Sequence, residues 1–419
     1  MSRYILFLLL FPLFFSQCAK KEFSNEPTKE GTFSIANSSD ILLRNSLVSI
    51  DKEQIANILN DTSATEIAVL FNNEEIASQT MGEALLFIID SISAKSELQF
   101  QLKKVEGQKR KEFAKKTQAE ISVKEGGEWI EVVKKNGNEQ FEYQGGTFQN
   151  INELRVPDKH TDHSFYIRYE GPGWESDLVG YRFYLDWRNA TDIFGKSTHD
   201  VVLQDVGQDG FDSYHEQEPW GMDVLKVGKS LGIGAFGVFE EDHATRIDKT
   251  DSITCKIAEN GSIYSSIKTS YFGWKVAGLS IDLESNLSIH AGTRLSHHQL
   301  QVSEALANYC TGIVKDDNAT LFTQQGDESQ WGFIATYGKQ SLNNDNLGLA
   351  VFFASKDFKG FREDEHSHIV KINSGTNELD YYFLGAWEGE KGGIKSEAEF
   401  IEYIKQTAKK LAQPVKVQL

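Results

Sequence analysis

A mainly β protein closed by one C-terminal amphipathic helix is the fold class this sequence predicts. Segments of alternating apolar and polar residues recur through much of the 419-residue chain, the mark of strands with one buried face. No fixed-period repeat occurs, and with only six prolines the chain carries no proline-rich linker or low-complexity arm. A single segment, Ser396–Gln413, has helical spacing instead, and Pro414 ends it. With 40% hydrophobic residues, including 27 Phe, 14 Tyr and 7 Trp, the chain can bury a sizeable core. The net charge is −18, from 61 acidic and 43 basic residues. Nucleic acid is therefore not an expected partner, because phosphate contacts demand basic surface. An anionic ligand has to be captured by a local basic cluster, since the overall field repels it.

Met1–Gln17 has one arginine and then an apolar run from Tyr4 to Phe15. The run is too short to span a bilayer and fits a secretory signal. Cys18 follows at once, where a bacterial lipoprotein would be acylated, although Phe15 and Gln17 depart from the small-residue cleavage pattern. The plainer alternative is an ordinary signal peptide with Cys18 incidental. The expectation is a cell-envelope protein held to the outer membrane by lipid on Cys18, with residues 18–32 as a polar tether. Residues 33–419 then make one large β domain, with N-terminal strands over 33–144, a functional half over 145–395 and the helix over 396–414. Cys255 and Cys310 remain, as buried free thiols or a disulfide, and no Cys/His zinc spacing exists.

Leu42–Ile50, Glu66–Phe71 and Leu85–Ile89 open the strand series. Glu97–Lys124 carries a dense lysine run that reads as a solvated face or hairpin arm. In Ser164–Glu170, Phe165, Ile167 and Tyr169 alternate with Tyr166, Arg168 and Glu170. In Gly180–Arg188, Tyr181, Phe183, Leu185 and Trp187 alternate with Arg182, Tyr184, Asp186 and Arg188. Ile281–His290 alternates in the same way. If the first two strands are neighbours, their polar faces form a floor of Arg and Tyr suited to an acidic sugar. The rival reading is a solvated outer face laced with Arg–carboxylate pairs. Trp174, in the Gly171–Asp177 turn, and Trp220, beside Pro219, are candidates to stack on a sugar ring. Gly228–Gly237 is weak as a nucleotide loop and reads as a glycine-rich strand with bulges. In the helix, Ser396 and Glu399 form a capping box ahead of Phe400, Ile401, Ile404 and Leu411.

Six of the ten histidines sit in tight groups. His160 and His163 lie in a turn after Pro157, and such a loop can converge both rings on a metal or a substrate. Tyr214 and His215 follow a Gly/Asp-rich loop whose Asp205, Asp209 and Asp212 match no standard calcium spacing and read as turn residues. His297 and His298 point to opposite faces of a strand, with His298 in phase with Arg294. His366 and His368 read as surface. The regions around His160, His215 and His298 are expected to share one site. No cofactor is called for, and the oligomeric state is open.

The runs His160–Lys196, Gln204–Glu216, Trp220–Gly237 and Ser288–Gln299 together resemble a family of envelope lipoproteins from bacterial polysaccharide-utilisation loci, which includes the oligosaccharide dehydratase of ulvan degradation. The resemblance covers about residues 33–419. It implies a large antiparallel β-sandwich of the mutarotase (supersandwich) kind. It also implies elimination of water across C4–C5 of the non-reducing-end uronic acid of a sulfated oligosaccharide. A polysaccharide lyase, a mutarotase or epimerase, and a non-catalytic glycan-binding lipoprotein are the competing expectations. Elimination needs a base at C5, an acid for the departing 4-hydroxyl and positive charge on the carboxylate. His163 or His215 is the expected base and Tyr166 or Tyr214 the expected acid. Arg168, Arg182, Arg188, His160, His298, Trp174 and Trp220 are the expected substrate contacts.

Overall fold

The computed structural model describes residues 29–419 except 106, 108–110, 135–136 and 211–212. The expected signal segment, Cys18 and Asp212 lie outside the described residues. Among the described residues no helix is long and apolar enough to cross a membrane. The fold is mainly β, built of antiparallel sheets, and a C-terminal helix is present.

A nine-stranded sheet forms the centre, in the order Glu153–Arg155, Ser252–Asn260, Tyr264–Val276, Leu279–His290, Ser296–Val302, Glu378–Trp387, Leu347–Phe353, Gly332–Gly338, Ala319–Gln324. Its Ile281, Leu283, Leu287 and Ile289 share one core with Trp174, Tyr181 and Ile193 of a six-stranded sheet and with Ile233, Ile313 and Ile369 of a five-stranded one. The alternation expected for Ile281–His290 thus holds, and burial of those side chains is what joins the sheets. On the opposite face, Phe333, Ala350, Phe352 and Leu384 pack under Phe400, Ile404 and Ala408 of the helix Glu397–Ala412. Ser396 caps that helix by accepting from the Glu399 N–H, while the Glu399 carboxylate reaches back to the N–H of Lys395, not to Ser396 as a full capping box would have it.

The strands before residue 105 carry a core of their own, with Phe33, Ile35, Val48, Phe87, Phe100 and Leu102 packed together. The last strand, Lys416–Gln418, pairs with Ser34–Ala36 of the first, so the two ends of the described chain meet in one sheet. A short helix, Lys52–Leu59, was not expected, although Asp51 and Gln54 form a reciprocal capping box that the sequence displays. Cys255 and Cys310 are buried free thiols. His368 is buried on the strand Ser367–Ile372, against its expected place on the surface, whereas His366 is half-exposed.

Two strand expectations need correction. Ser164–Glu170 is not a strand: His163, Phe165, Tyr169 and Glu170 have positive φ, and Arg168–Glu170 forms a 3-10 turn. The reason is that Arg168 and Glu170 are drawn into polar partners on separate elements, which an extended chain cannot serve at once. Gly180–Arg188 is a strand only over Val179–Phe183. It ends in a turn closed by the Asn189 N–H on the Asp186 carbonyl at 3.0 Å, and Trp187, expected in the core, is 46% exposed.

Candidate active site

The six-stranded sheet sets the site. Its order is Gly221–Asp223, Thr191–Lys196, Val179–Phe183, Gly173–Ser176, Thr117–Val133, Glu139–Ile151. Ala119, Trp174, Tyr181 and Ile193 stand in register on the face turned to the core. The alternate positions, Gln118, Glu120, Glu175, Arg182, Asp192, Lys196 and Asp223, occupy the other face, and all are buried. They are buried because the chain after Lys196 folds over them: Leu203, Val206 and Tyr214 pack with Phe194 and Tyr169, and Trp220 leans on Phe194. A charged sheet face under a cover must be paired internally, since an unpaired buried ion costs several kcal/mol, roughly.

The pairing is thorough. Lys196 Nζ meets Glu175 at 2.5 Å. Arg168, with no exposed surface, binds Glu120 and donates to the carbonyls of Leu203, Gln204 and Val206. Arg182 binds Asp192 at 2.7 Å and Asp223 at 2.5 Å, and donates to the Tyr214 hydroxyl at 2.9 Å. Arg188 binds Asp162 at 3.0 Å, Glu170 at 2.9 Å and Asp186 at 2.5 Å. Tyr184 joins the last two groups: its ring lies 5.1 Å from the Arg182 guanidinium and 3.9 Å from that of Arg188, and its hydroxyl donates to Asp192. The expectation that these arginines present free forks is therefore corrected. Each is held by the protein's own carboxylates.

Histidines stand at the accessible edge of this network. His163 Nδ1 bonds to Asp162, its backbone N–H donates to Glu170 at 2.9 Å, and its side chain is 35% exposed. The Asp162 bond raises the imidazole pKa above its ordinary value against the opposing effect of burial. His160 bonds Ser164 Oγ at 2.8 Å, and burial lowers its pKa, opposed by nearby Asp186 and Glu170. His215 places Nε2 at 3.6 Å from Asp223, with its ring 4.6 Å from that of Tyr214. Burial, then the neighbouring Asp192, pushes the Asp223 pKa upward, and the Arg182 guanidinium paired with it pulls the other way. Burial raises the Tyr214 phenol in the same way.

His160, His163 and Arg188 thus form one group and Arg182, Tyr214 and His215 another, in contact through Tyr184. The other expected residues fall elsewhere. Trp174 is not at a turn tip but fully buried, stacked on Tyr181 with its N–H on Ser296 Oγ at 2.7 Å. Tyr166 packs against Trp129 and Tyr143 of the long hairpin. His298 lies inside the central sheet, bonded to Ser285 Oγ at 2.7 Å, with its pKa lowered by burial to about 3. Sequence reasoning missed the carboxylates Asp162, Asp192 and Asp223. Asp192 and Asp223 reach Arg182 only through strand pairing, which no local pattern encodes.

Asp162, His163 and Glu170 offer donor atoms that all lie within 4.8 Å of one another, a spacing a metal ion can use. Arg188 already places its charge against both carboxylates, so a metal would compete with a guanidinium there. As it stands, the arrangement suits proton transfer.

No curated protein matches the chain. Among solved structures, an α-mannosidase from Enterococcus faecalis V583 aligns with a TM-score of 0.49 and 9% identity, covering 94% of this chain and 46% of that one. A glycosyl hydrolase family 38 protein from Enterococcus faecalis aligns with a TM-score of 0.47 and 10% identity, covering 93% and 47%. The chain spans about half the length of both. A family model matches residues 35–417, nearly the whole of the described chain, and on that match the protein belongs to the DUF4861 family, a domain of unknown function.

Proposed function

We propose that this protein is a carbohydrate-processing enzyme, an oligosaccharide dehydratase. It eliminates water across C4–C5 of the non-reducing-end uronic acid of ulvan-type sulfated oligosaccharides. One observation carries the chemistry. Two accessible imidazoles, each beside a carboxyl group, sit on a single rigid ion-pair network, so an acid and a base are held in fixed positions. His163, whose pKa is raised by its bond to Asp162, gives its proton to the departing 4-hydroxyl. His215 takes the C5 proton, with Asp223 behind it. The C5–H and C4–O bonds break, a C4=C5 double bond forms, and water leaves. Tyr214 stays protonated and orients Arg182. The substrate class follows from the family resemblance drawn from the sequence, and the envelope lipid anchor at Cys18 belongs to the same proposal.

Incubation with uronate-ended ulvan oligomers tests it, following mass and the ultraviolet absorbance of the unsaturated uronate together. Loss of one water from an intact oligomer is expected. Chain cleavage would assign a lyase, and binding without product a glycan-binding protein. His163→Ala and His215→Ala are each expected to slow the reaction by about 10²–10⁴-fold; near-wild-type rates in both would overturn the assignments.

A further inference from the structure

Elimination beside a carboxylate needs positive charge on that carboxylate, and the arginines expected to supply it are spent on the protein's own acids. Arg246 differs. It ends the strand His243–Arg246 of the five-stranded sheet and is half-buried. One N–H donates to the Ser230 carbonyl at 2.7 Å. Among the described residues no carboxylate stands within ion-pair distance of it. Asp186, Asp248 and Asp364 act on it only from further off, Arg188 repels it, and burial outweighs them in lowering its pKa. Arg44 and Arg362 also lack carboxylate partners, but both are exposed and solvated. A half-buried guanidinium without a counterion, in a chain of net charge −18, is a standing invitation to an anion.

Its position matters as much as its charge. The Arg246 guanidinium lies 5.7 Å from the ring of Trp187. Trp187 is exposed because both neighbours are anchored inward: Arg188 binds Asp186 through its backbone N–H at 2.8 Å and through its guanidinium. The indole thus belongs to the residue next in sequence to Arg188, which binds the Asp162 that holds His163, and Asp186 and Arg188 both act electrostatically on Arg246. Indole beside guanidinium is the pairing that grips an acidic sugar, the ring plane on the aromatic and the carboxylate on the fork.

We propose that Arg246 and Trp187 form the recognition element for the hexuronate carboxylate and ring at this site. The proposal rests on the uronate-elimination reading above. Arg246 holds the carboxylate whose charge grows as the C5 proton leaves, and Trp187 carries the sugar ring. Arg182 and Arg188 keep the acids and histidines in place.

The test compares a uronate-ended oligosaccharide with the same oligomer after carboxyl reduction, measuring binding by calorimetry and turnover by absorbance. The wild type is expected to prefer the acid. Arg246→Gln is expected to weaken the acid form by about 10- to 100-fold while leaving the reduced form unchanged, so the preference vanishes. Arg246→Lys keeps the charge but not the fork and is expected to lose part of the preference, which covers the case in which the glutamine variant does not fold. Trp187→Ala is expected to weaken both forms equally, by about 3- to 10-fold. A preference for the acid that survives in Arg246→Gln, or in Arg246→Lys at wild-type strength, overturns the proposal even if wild-type dehydration is observed. Wild-type protein that binds the acid form through Arg246 but never turns it over leaves the recognition element standing and removes the elimination reading. Absence of wild-type binding to either oligomer overturns the proposal outright.

Discussion

His298 is a neutral imidazole near pH 7, because burial lowers its pKa to about 3, and His290 is lowered as far by burial and by Lys410. An unfolded chain protonates these rings at about 6.5. Their contribution to stability is therefore complete above that pH and is lost as pH falls toward 3. His163 has the opposite sign. Its raised pKa gives stability that is present below about 6.5 and lost as pH climbs through the raised value. His298→Gln is expected to flatten the acid limb of stability against pH by about 1.4 kcal/mol per unit between roughly pH 6 and 4, read by denaturant unfolding at stepped pH. A slope equal to that of the wild type would show that the ring titrates in the folded protein. At this scale the sequence was legible by type and not by place. His163, His215, Arg182 and Arg188 were identifiable as chemistry-bearing residues, yet His298 and Trp174, just as conspicuous, serve the core. Burial depends on what the rest of the chain puts on top of a residue, and no neighbour in sequence reports that.

Elements were read best where a single periodicity holds. Leu43–Ile50, Ile67–Phe71, Leu279–His290 and the helix Glu397–Ala412 all fall where alternation or helical spacing placed them. The glycine-rich run was also legible: the strand Ile233–Glu240 shifts register between Ile233 and Phe236, the bulge its glycines suggest. Gly234 is required there twice over, by a φ of +69° and by the Phe383 ring, which a Cβ would meet at 2.3 Å. Gly234→Ala is expected to cost about 2–4 kcal/mol in chemical denaturation. Gly375→Ala, with φ +75° but open space around it, is expected to cost about 1 kcal/mol from backbone strain alone. Equal losses would show that the ring yields to the added methyl. The Ser164–Glu170 segment failed because its alternation is incidental. The demands of Arg168 for Glu120 and of Glu170 for Arg188 outweigh local strand preference and wind the chain into a turn.

Across the described residues, the two largest hydrophobic cores and the pairing of Lys416–Gln418 with the first strand organise the stability. Deleting Lys416–Leu419 removes the outer partner of Glu30–Asn37 and takes Val417 from the N-terminal core. Faster hydrogen exchange is expected in Glu30–Asn37, with protection in Leu279–His290 unchanged because it belongs to the other core. Loss of protection in both would mean that the two cores unfold as one unit. The sequence by itself determined the β class, the C-terminal helix and the stock of imidazole, phenol and guanidinium groups, since composition and periodicity are properties of neighbours along the chain. Only the tertiary structure decided which of those groups are spent on one another. Asp192 and Asp223 are brought against Arg182 by strand register, and Asp162 and Glu170 against Arg188 by the winding of a loop. Coulomb pairing acts through space, so the charges left over for a ligand can be counted only after the chain has folded.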